Sequence, residues 1–406
     1  MTCRITAVTT LHEQPCGSTP LPRPLAWITA DMLALRAAGL ERPPRVRSGR
    51  QGREVDLDGK TLTNFGSNDY LGYAGDVRLT KAASRAACAE GFGAGASPLV
   101  SGHSQAHAGL EAAVAHLLDV EAALVFPSGF AANTATLSAL VGPGDCVASD
   151  ARNHASIIDG CRLSRADVRV YPHRDMRALE TLLAESRAKR KLIVTDTLFS
   201  MDGTLAPLAD LCEVAHRHGA ILMVDEAHAT GVFGARGSGL VEAASCASGV
   251  HVRVGTFSKA LGAAGGFVAG SSHLIHWLRH TARAWIFSTA HPPAVAAAAT
   301  TAIKLLSAEP HRRHQLLAAA AAFRADLTRQ GIPLEGAAAH IVPVVAGRAE
   351  AAVALAERLA AAGMFVPAIR PPSVPEGRSL VRASVAWHHT PHDLERLAAV
   401  LLQGRP

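Results

Sequence analysis

Between residues 123 and 271 the chain alternates short, nearly continuous apolar runs with stretches whose apolar positions recur every three or four residues. The runs occupy residues 123–127, 146–150, 168–171, 192–197, 221–225, 252–256 and 267–269, and they are rich in β-branched side chains. Such runs predict strands, and continuous rather than alternating apolarity predicts burial on both sheet faces. With helices between them, the expected fold is α/β around a mostly parallel seven-stranded sheet. In such sheets ligands bind beyond the carboxyl ends of the strands, so candidate chemistry is sought in the residues that follow each run.

Past Pro293 the pattern changes to a long Ala/Leu helical stretch, a strand at 341–345, a helix over 350–362 and strands at 365–369 and 380–385. The last helix opens with Thr390 as N-cap, Pro391 at its first position and Asp393 in its first turn. The expected organisation is an N-terminal extension and arm (1–62), a large α/β domain (63–292) and a smaller α+β C-terminal domain (293–406). Residues 1–22 are expected to be a loose extension.

Composition narrows the classes. Of 406 residues 49% are hydrophobic and 18% charged, enough to bury a large core. No run approaches the roughly 20 bulky apolar residues of a membrane span, and residues 1–27 lack the pattern of a secretory signal. Cys3, Cys16, Cys88, Cys146, Cys161, Cys212 and Cys246 are odd in number and include no C-x-x-C pair, so a disulfide framework and a zinc site are both disfavoured and a reducing cytoplasm is expected. The +6 charge is dispersed and aromatics are only 4% of the chain, which argues against nucleic acid. The mild positive field favours an anionic substrate. No H-E-x-x-H motif or ligand spacing calls for a metal.

Five segments carry candidate chemistry. Lys259 follows a strand in Thr256-Phe-Ser-Lys-Ala-Leu-Gly262, where a compact turn can desolvate its amine for imine formation with an aldehyde. Asp225 ends the run at 221–225, a position suited to pairing a pyridinium nitrogen; at ~4 Å and an effective dielectric of ~20 such a pair is worth about 4 kcal/mol. Ser128-Gly129-Phe130 joins a strand to a helix N-terminus, where free N–H groups and the helix dipole suit a phosphate. His154 and His228 follow strand ends, where a neutral imidazole can stack on a flat ring or hydrogen-bond its oxygen. Arg382, inside a strand, can pair a carboxylate bidentately.

In their order, these segments resemble the α-oxoamine synthases, pyridoxal-phosphate (PLP) enzymes of the aspartate-aminotransferase-like type. The matching blocks are Asn64-Phe-Gly-Ser-Asn68-Asp-Tyr70-Leu-Gly72, Leu99-Val-Ser-Gly102 with His107 and Glu111, Ser128-Gly-Phe-Ala-Ala-Asn133, Asn153-His-Ala-Ser156, Phe199-Ser-Met-Asp-Gly203, Val224-Asp-Glu-Ala-His228 and the Lys259 block. The resemblance implies a Schiff base on Lys259, Asp225 on the pyridine nitrogen, His154 stacked on the ring, and Ser200 and His228 near the phenolate oxygen. It implies Ser128, Gly129, Phe130, Thr256 and Ser258 around the phosphate, and Asn68 and Arg382 on the amino-acid carboxylate. Catalysis would rest on Lys259, His154, Asp225 and His228, in a homodimer.

Two late segments, Phe287-Ser-Thr-Ala-His-Pro-Pro293 and Ala368-Ile-Arg-Pro-Pro-Ser-Val-Pro375, resemble the branch that joins L-alanine to a pimeloyl thioester, on CoA or a carrier protein, with loss of CO₂. Its distal carboxylate calls for a cation, and Arg370 or Arg42 could supply one. Sister activities remain open: glycine with an acetyl thioester, serine with a long-chain acyl thioester, or an acyl transfer of secondary metabolism. So does a non-catalytic PLP-binding subunit. Pro98, Ala229 and His291 depart from the family pattern, and Pro98 predicts an altered shape for residues 95–102.

Overall fold

The computed structural model describes residues 22–336 and 339–403. Cys3, Cys16 and all but the last residue of the expected loose extension lie outside the described residues. The chain divides into two units, Met1–Arg45 and Val46–Pro406. The first contains a helix, Trp27–Ala37, whose residues are largely exposed, and an Arg36–Glu41 ion pair of 2.8 Å.

The second unit opens with β1 (Arg47–Ser48), β2 (Glu54–Leu57) and β3 (Lys60–Asn64), an antiparallel ladder. A seven-stranded sheet follows, built from β4 (Ala122–Phe126), β5 (Cys146–Asp150), β6 (Asp167–Tyr171), β7 (Lys191–Asp196), β8 (Ile221–Asp225), β9 (Val252–Thr256) and β10 (Gly266–Gly270), in the order β4-β10-β9-β8-β7-β5-β6. β5 to β9 pair in parallel, whereas β10 runs antiparallel to both β9 and β4. Helices cover both faces of the other six strands, which is why those read as continuous apolar sequence, whereas edge strand β6, expected to be buried on both faces, leaves Val168 and Val170 exposed. Along β8, Met223 enters one core with Val268 of β10, while its neighbours Leu222 and Val224 enter another.

The reversal at β10 positions the site. Gly266 pairs with Thr256 on one side and Phe126 on the other, so the carboxyl ends of β4 and β9 lie at the same edge as the start of β10. Parallel pairing brings Asp196 of β7 opposite Asp225 of β8 at that edge.

The C-terminal part contains β11 (Ile341–Gly347), β12 (Met364–Phe365), β13 (Ala368–Ile369) and β14 (Ser379–Ser384). The single strand expected over 365–369 is in fact two, in different sheets: β12 adds in parallel to β3, and β13 pairs with β14, which pairs in turn with β11. Pro367 lies between them; it has no N–H for a ladder, and its carbonyl accepts from the backbone N–H of Arg382 at 3.1 Å. The long Ala/Leu stretch is likewise two helices, Pro293–Ala308 and His311–Arg329, divided at Glu309-Pro310. The expected cap of the last helix, Pro391–Gln403, is present: Asp393 accepts from the N–H of Thr390 at 2.8 Å, and the Thr390 hydroxyl accepts from that of Asp393 at 3.2 Å. Pro98 opens a π-helical turn, Pro98–Gly102, closed by the Gly102 N–H on the Ser97 carbonyl at 2.9 Å. Among the described residues no helix is long and apolar enough to cross a membrane.

Candidate active site

Lys259 sits in the loop that turns β9 into β10. The loop is closed by bonds to the Gly265 carbonyl from the Thr256 hydroxyl (2.7 Å) and the Phe257 N–H (3.0 Å), and Phe257 and Leu261 anchor it in the core. Gly262 is required here: its φ is +60°, and a Cβ would lie 2.3 Å from the backbone nitrogen of Ala74. The Lys259 amine is 2.9 Å from Nε2 of His228. Burial pushes that amine down from 10.5 to about 8; the charges of Asp225 and Asp196 oppose the shift and that of Arg382 adds to it.

A hydrogen-bonded row continues from His228. Its Nδ1 is 2.7 Å from the Tyr70 hydroxyl, which donates to Oδ1 of Asn68 at 3.0 Å, and the same Asn68 oxygen accepts from Arg382. Because the Tyr70 proton goes to Asn68, Tyr70 accepts from His228 Nδ1–H, and Nε2 is left to accept from the lysine. His228 is therefore neutral. Burial first, and then the Lys259 and Arg382 charges, hold its pKa well below the usual imidazole value. Burial also raises the Tyr70 phenol to about 12. His340 packs edge-on against Tyr70 at 4.0 Å between ring centres; burial lowers its pKa to about 3.

A second row fixes the carboxylate. Asp225 is buried and accepts from the Asn133 amide at 2.6 Å and the Ala227 N–H at 2.8 Å. Asn133 also donates to the Ser156 hydroxyl at 3.0 Å, and that hydroxyl is 2.8 Å from Nδ1 of His154. The Ser156 N–H donates to the same Nδ1, so neutral His154 carries its proton on Nε2. His154 is solvent-exposed as a residue, yet neighbouring protein disfavours its cation and Lys259 adds to this, against the pull of Asp225. Its backbone N–H donates to Asp196 at 2.8 Å. Burial, followed by the Asp225 charge, raises the Asp196 carboxyl well above its usual range.

The third component is an anion cradle. Ser128 caps the helix Gly129–Leu140 through a 3.0 Å bond from the Ala131 N–H, and the N–H groups of Gly129 and Phe130 have no acceptor among the described residues. A Cβ on Gly266 would lie 2.5 Å from the Gly129 nitrogen, so only glycine lets the helix end settle on β10. The Thr256 and Ser258 hydroxyls, 2.7 Å apart, lie beside it, a Cβ on Gly129 being 3.4 Å from that of Thr256.

Ser200 lines a groove of about 480 Å³ together with Asn153, Phe199 and the turn Pro371–Glu376. Arg370 directly precedes the cis Pro371–Pro372 bond, and Arg42 belongs to the separate N-terminal unit. His291 pairs with His107, whose Nε2 is 2.9 Å from Nδ1 of His291 and 2.8 Å from its carbonyl. Among the described residues no group of three or more His, Cys, Asp or Glu could hold a metal ion. The edge thus gathers Lys259, Asp225, His154, His228, Asn68, Arg382 and the cradle. It adds Tyr70, Asn133, Asp196 and His340, whose roles the sequence reading did not assign. Asp196 ends a strand as Asp225 does, so the same rule could have found it; His340 gives no sequence signal.

The sequence profile described as aminotransferase class I and II matches residues 60–401. The chain is 48% identical to an 8-amino-7-oxononanoate synthase of Anaeromyxobacter dehalogenans, over 94% of this chain and 96% of that protein. It is 46% identical to one of Geobacter sulfurreducens, over 92% and 96%. Among solved structures it superposes on a serine palmitoyltransferase from S. paucimobilis with a bound PLP–myriocin aldimine, at a TM-score of 0.89 and 31% identity, over 95% of this chain and 98% of that one.

Proposed function

The chain belongs to the aminotransferase class I and II family, and on that premise we propose that it is a PLP-dependent acyltransferase that makes 8-amino-7-oxononanoate for biotin synthesis. The observation that carries this reading is the shared name of its relatives over nearly their whole length. In this reading the amino-bearing carbon and its methyl come from L-alanine, and the seven carbons from ketone to carboxylate come from a pimeloyl group. The reaction joins alanine Cα to the thioester carbonyl, breaks the C–S bond to release a thiol, and breaks the Cα–carboxylate bond to release CO₂.

The residues present fit PLP. The bare N–H groups of Gly129 and Phe130 with Thr256 and Ser258 suit its phosphate, Asp225 its ring nitrogen, His154 its face and Lys259 its aldehyde; Ser200 and His228 would border its phenolate oxygen. When bound, PLP supplies the electron sink that makes an amino-acid Cα–H acidic.

In our reading Lys259 moves that Cα proton. An amine whose pKa is about 8 keeps roughly one-tenth of its population as free base at pH 7, far more than an ordinary lysine does, and that fraction can act as a general base. His228 orients the amine through its unprotonated Nε2, and Tyr70 fixes that tautomer. Arg382, with Asn68 at its guanidinium, receives the alanine carboxylate. Asn133 and Ser156 tie Asp225 to His154, so the groups for the ring edge and the ring face keep one spacing. The cofactor domain of this reading is residues 63–292, with 293–406 as the small domain. A cytoplasmic homodimer accords with thioester substrates held inside cells and with the exposed apolar side chains of Phe92, Leu99, Val100 and Phe287.

The test is a matrix of L-alanine, glycine and L-serine against pimeloyl, acetyl and palmitoyl thioesters, followed by CO₂ and thiol release. Turnover is expected to be highest for alanine with the pimeloyl thioester; no thiol or CO₂ from that pair sinks the reading.

A further inference from the structure

The groove that contains Ser200 and Asn153 has a mainly apolar wall, including Ile158, Met201, Val345, Val374 and Leu380. Two guanidiniums interrupt it, together with the carboxylates of Asp202, Glu335 and Glu376. Arg152 pairs with Asp202, and Arg378 pairs with Glu335. The two pairs share one stretch of wall, because Gly336, next to Glu335, packs on Asp202: a Cβ there would lie 2.5 Å from the Asp202 carbonyl oxygen. Each guanidinium uses one terminal nitrogen on its acid, and its remaining side-chain N–H groups have no acceptor among the described residues. Both arginines are partly exposed, at 44% and 43%, so their ion pairs are weak and a second carboxylate can share or replace the first.

Resting on the alanine and pimeloyl-thioester reading above, we propose that this groove holds the acyl chain of the thioester and that Arg378 and Arg152 receive a carboxylate at its far end. The chemistry follows from the lining. Methylene groups gain from apolar walls, and a carboxylate gains charge-assisted, forked hydrogen bonds that a methyl end cannot make. The groove therefore selects acyl groups that end in an anion over plain alkyl chains of the same length. Ser200 and Asn153 in its lining connect it to the cofactor residues, with Asn153 directly preceding His154.

The experiment compares KM and kcat for pimeloyl and octanoyl thioesters, nearly equal in length, with saturating L-alanine, on CoA and on acyl carrier protein. The holoenzymes are wild type, Arg378→Met, Arg152→Met, the double variant and Arg378→Lys. The pimeloyl KM is expected to rise about tenfold or more in Arg378→Met and further in the double variant, with octanoyl kinetics within about twofold and partial recovery in Arg378→Lys. Unchanged octanoyl turnover shows that the variants fold. An unaltered pimeloyl preference overturns the proposal, and so does an equal loss for both thioesters, which would assign the arginines to the thiol carrier or to folding. Wild-type enzyme inactive with pimeloyl on either carrier overturns the underlying reading as well.

Discussion

Replacing Asp225 with Asn removes one negative charge in a nearly isosteric side chain and also one acceptor, because Asn133 at 2.6 Å and the Ala227 N–H at 2.8 Å donate to different oxygens and the amide can accept from only one of them. On the proposed assignment, the interaction lost would be the pairing of the carboxylate with the ring nitrogen of bound PLP. At ~4 Å and an effective dielectric of ~20 it is worth about 4 kcal/mol, equal to roughly three pKa units on that nitrogen before desolvation reduces it. Without that carboxylate the site would hold a weaker electron sink, so kcat/KM for alanine is expected to fall about 10²- to 10³-fold. A second readout is independent of turnover. Asp225 raises the Lys259 pKa, so Asp225→Asn should move that amine further below about 8 in the apoprotein, measurable by the pH dependence of its chemical labelling. Activity within about tenfold of wild type, with the labelling profile unmoved, would refute the reasoning.

The other expectations are narrower. For kcat against pH, the rise should have an apparent midpoint near the Lys259 value of about 8, since only the free amine accepts a proton; a flat profile from pH 6 to 9 contradicts this. Apoprotein stability should change with the opposite sign to that of an ordinary ion-paired lysine. The folded pKa of about 8 lies below the unfolded 10.5, the unfolded chain binds more protons between them, and urea midpoints should rise across that window. Tyr70→Phe leaves His228 Nδ1–H buried without an acceptor, at a cost of about 1–3 kcal/mol in denaturant unfolding, and should slow turnover through misplaced Lys259. Lys259→Ala should abolish both turnover and the visible imine absorbance; retention of either contradicts its assignment.

Much of the site was legible because strand ends can be read from apolar runs. Asp225 ends such a run, Gly129 and Lys259 follow one, and the sheet brings those ends to one edge. What escaped the reading depends on contacts between distant segments. Tyr70 matters through a bond to His228, 158 positions away, and Asn133 through one to Asp225, 92 positions away; neither leaves a local pattern. Arg152 and Arg378 carry no local sequence signal; they meet only because the turn at Pro371–Glu376 and Ser200 line the same groove. By contrast, the division of β12 from β13 at Pro367 was readable, since a proline inside a predicted strand demotes it.

The most direct measurement of the central claim follows carboxyl-labelled L-alanine with purified holoenzyme and a pimeloyl thioester. Labelled CO₂, free thiol and 8-amino-7-oxononanoate should appear in equal amounts, with none of the three formed by Lys259→Ala. Thiol released without labelled CO₂, or no release of either, would contradict the account.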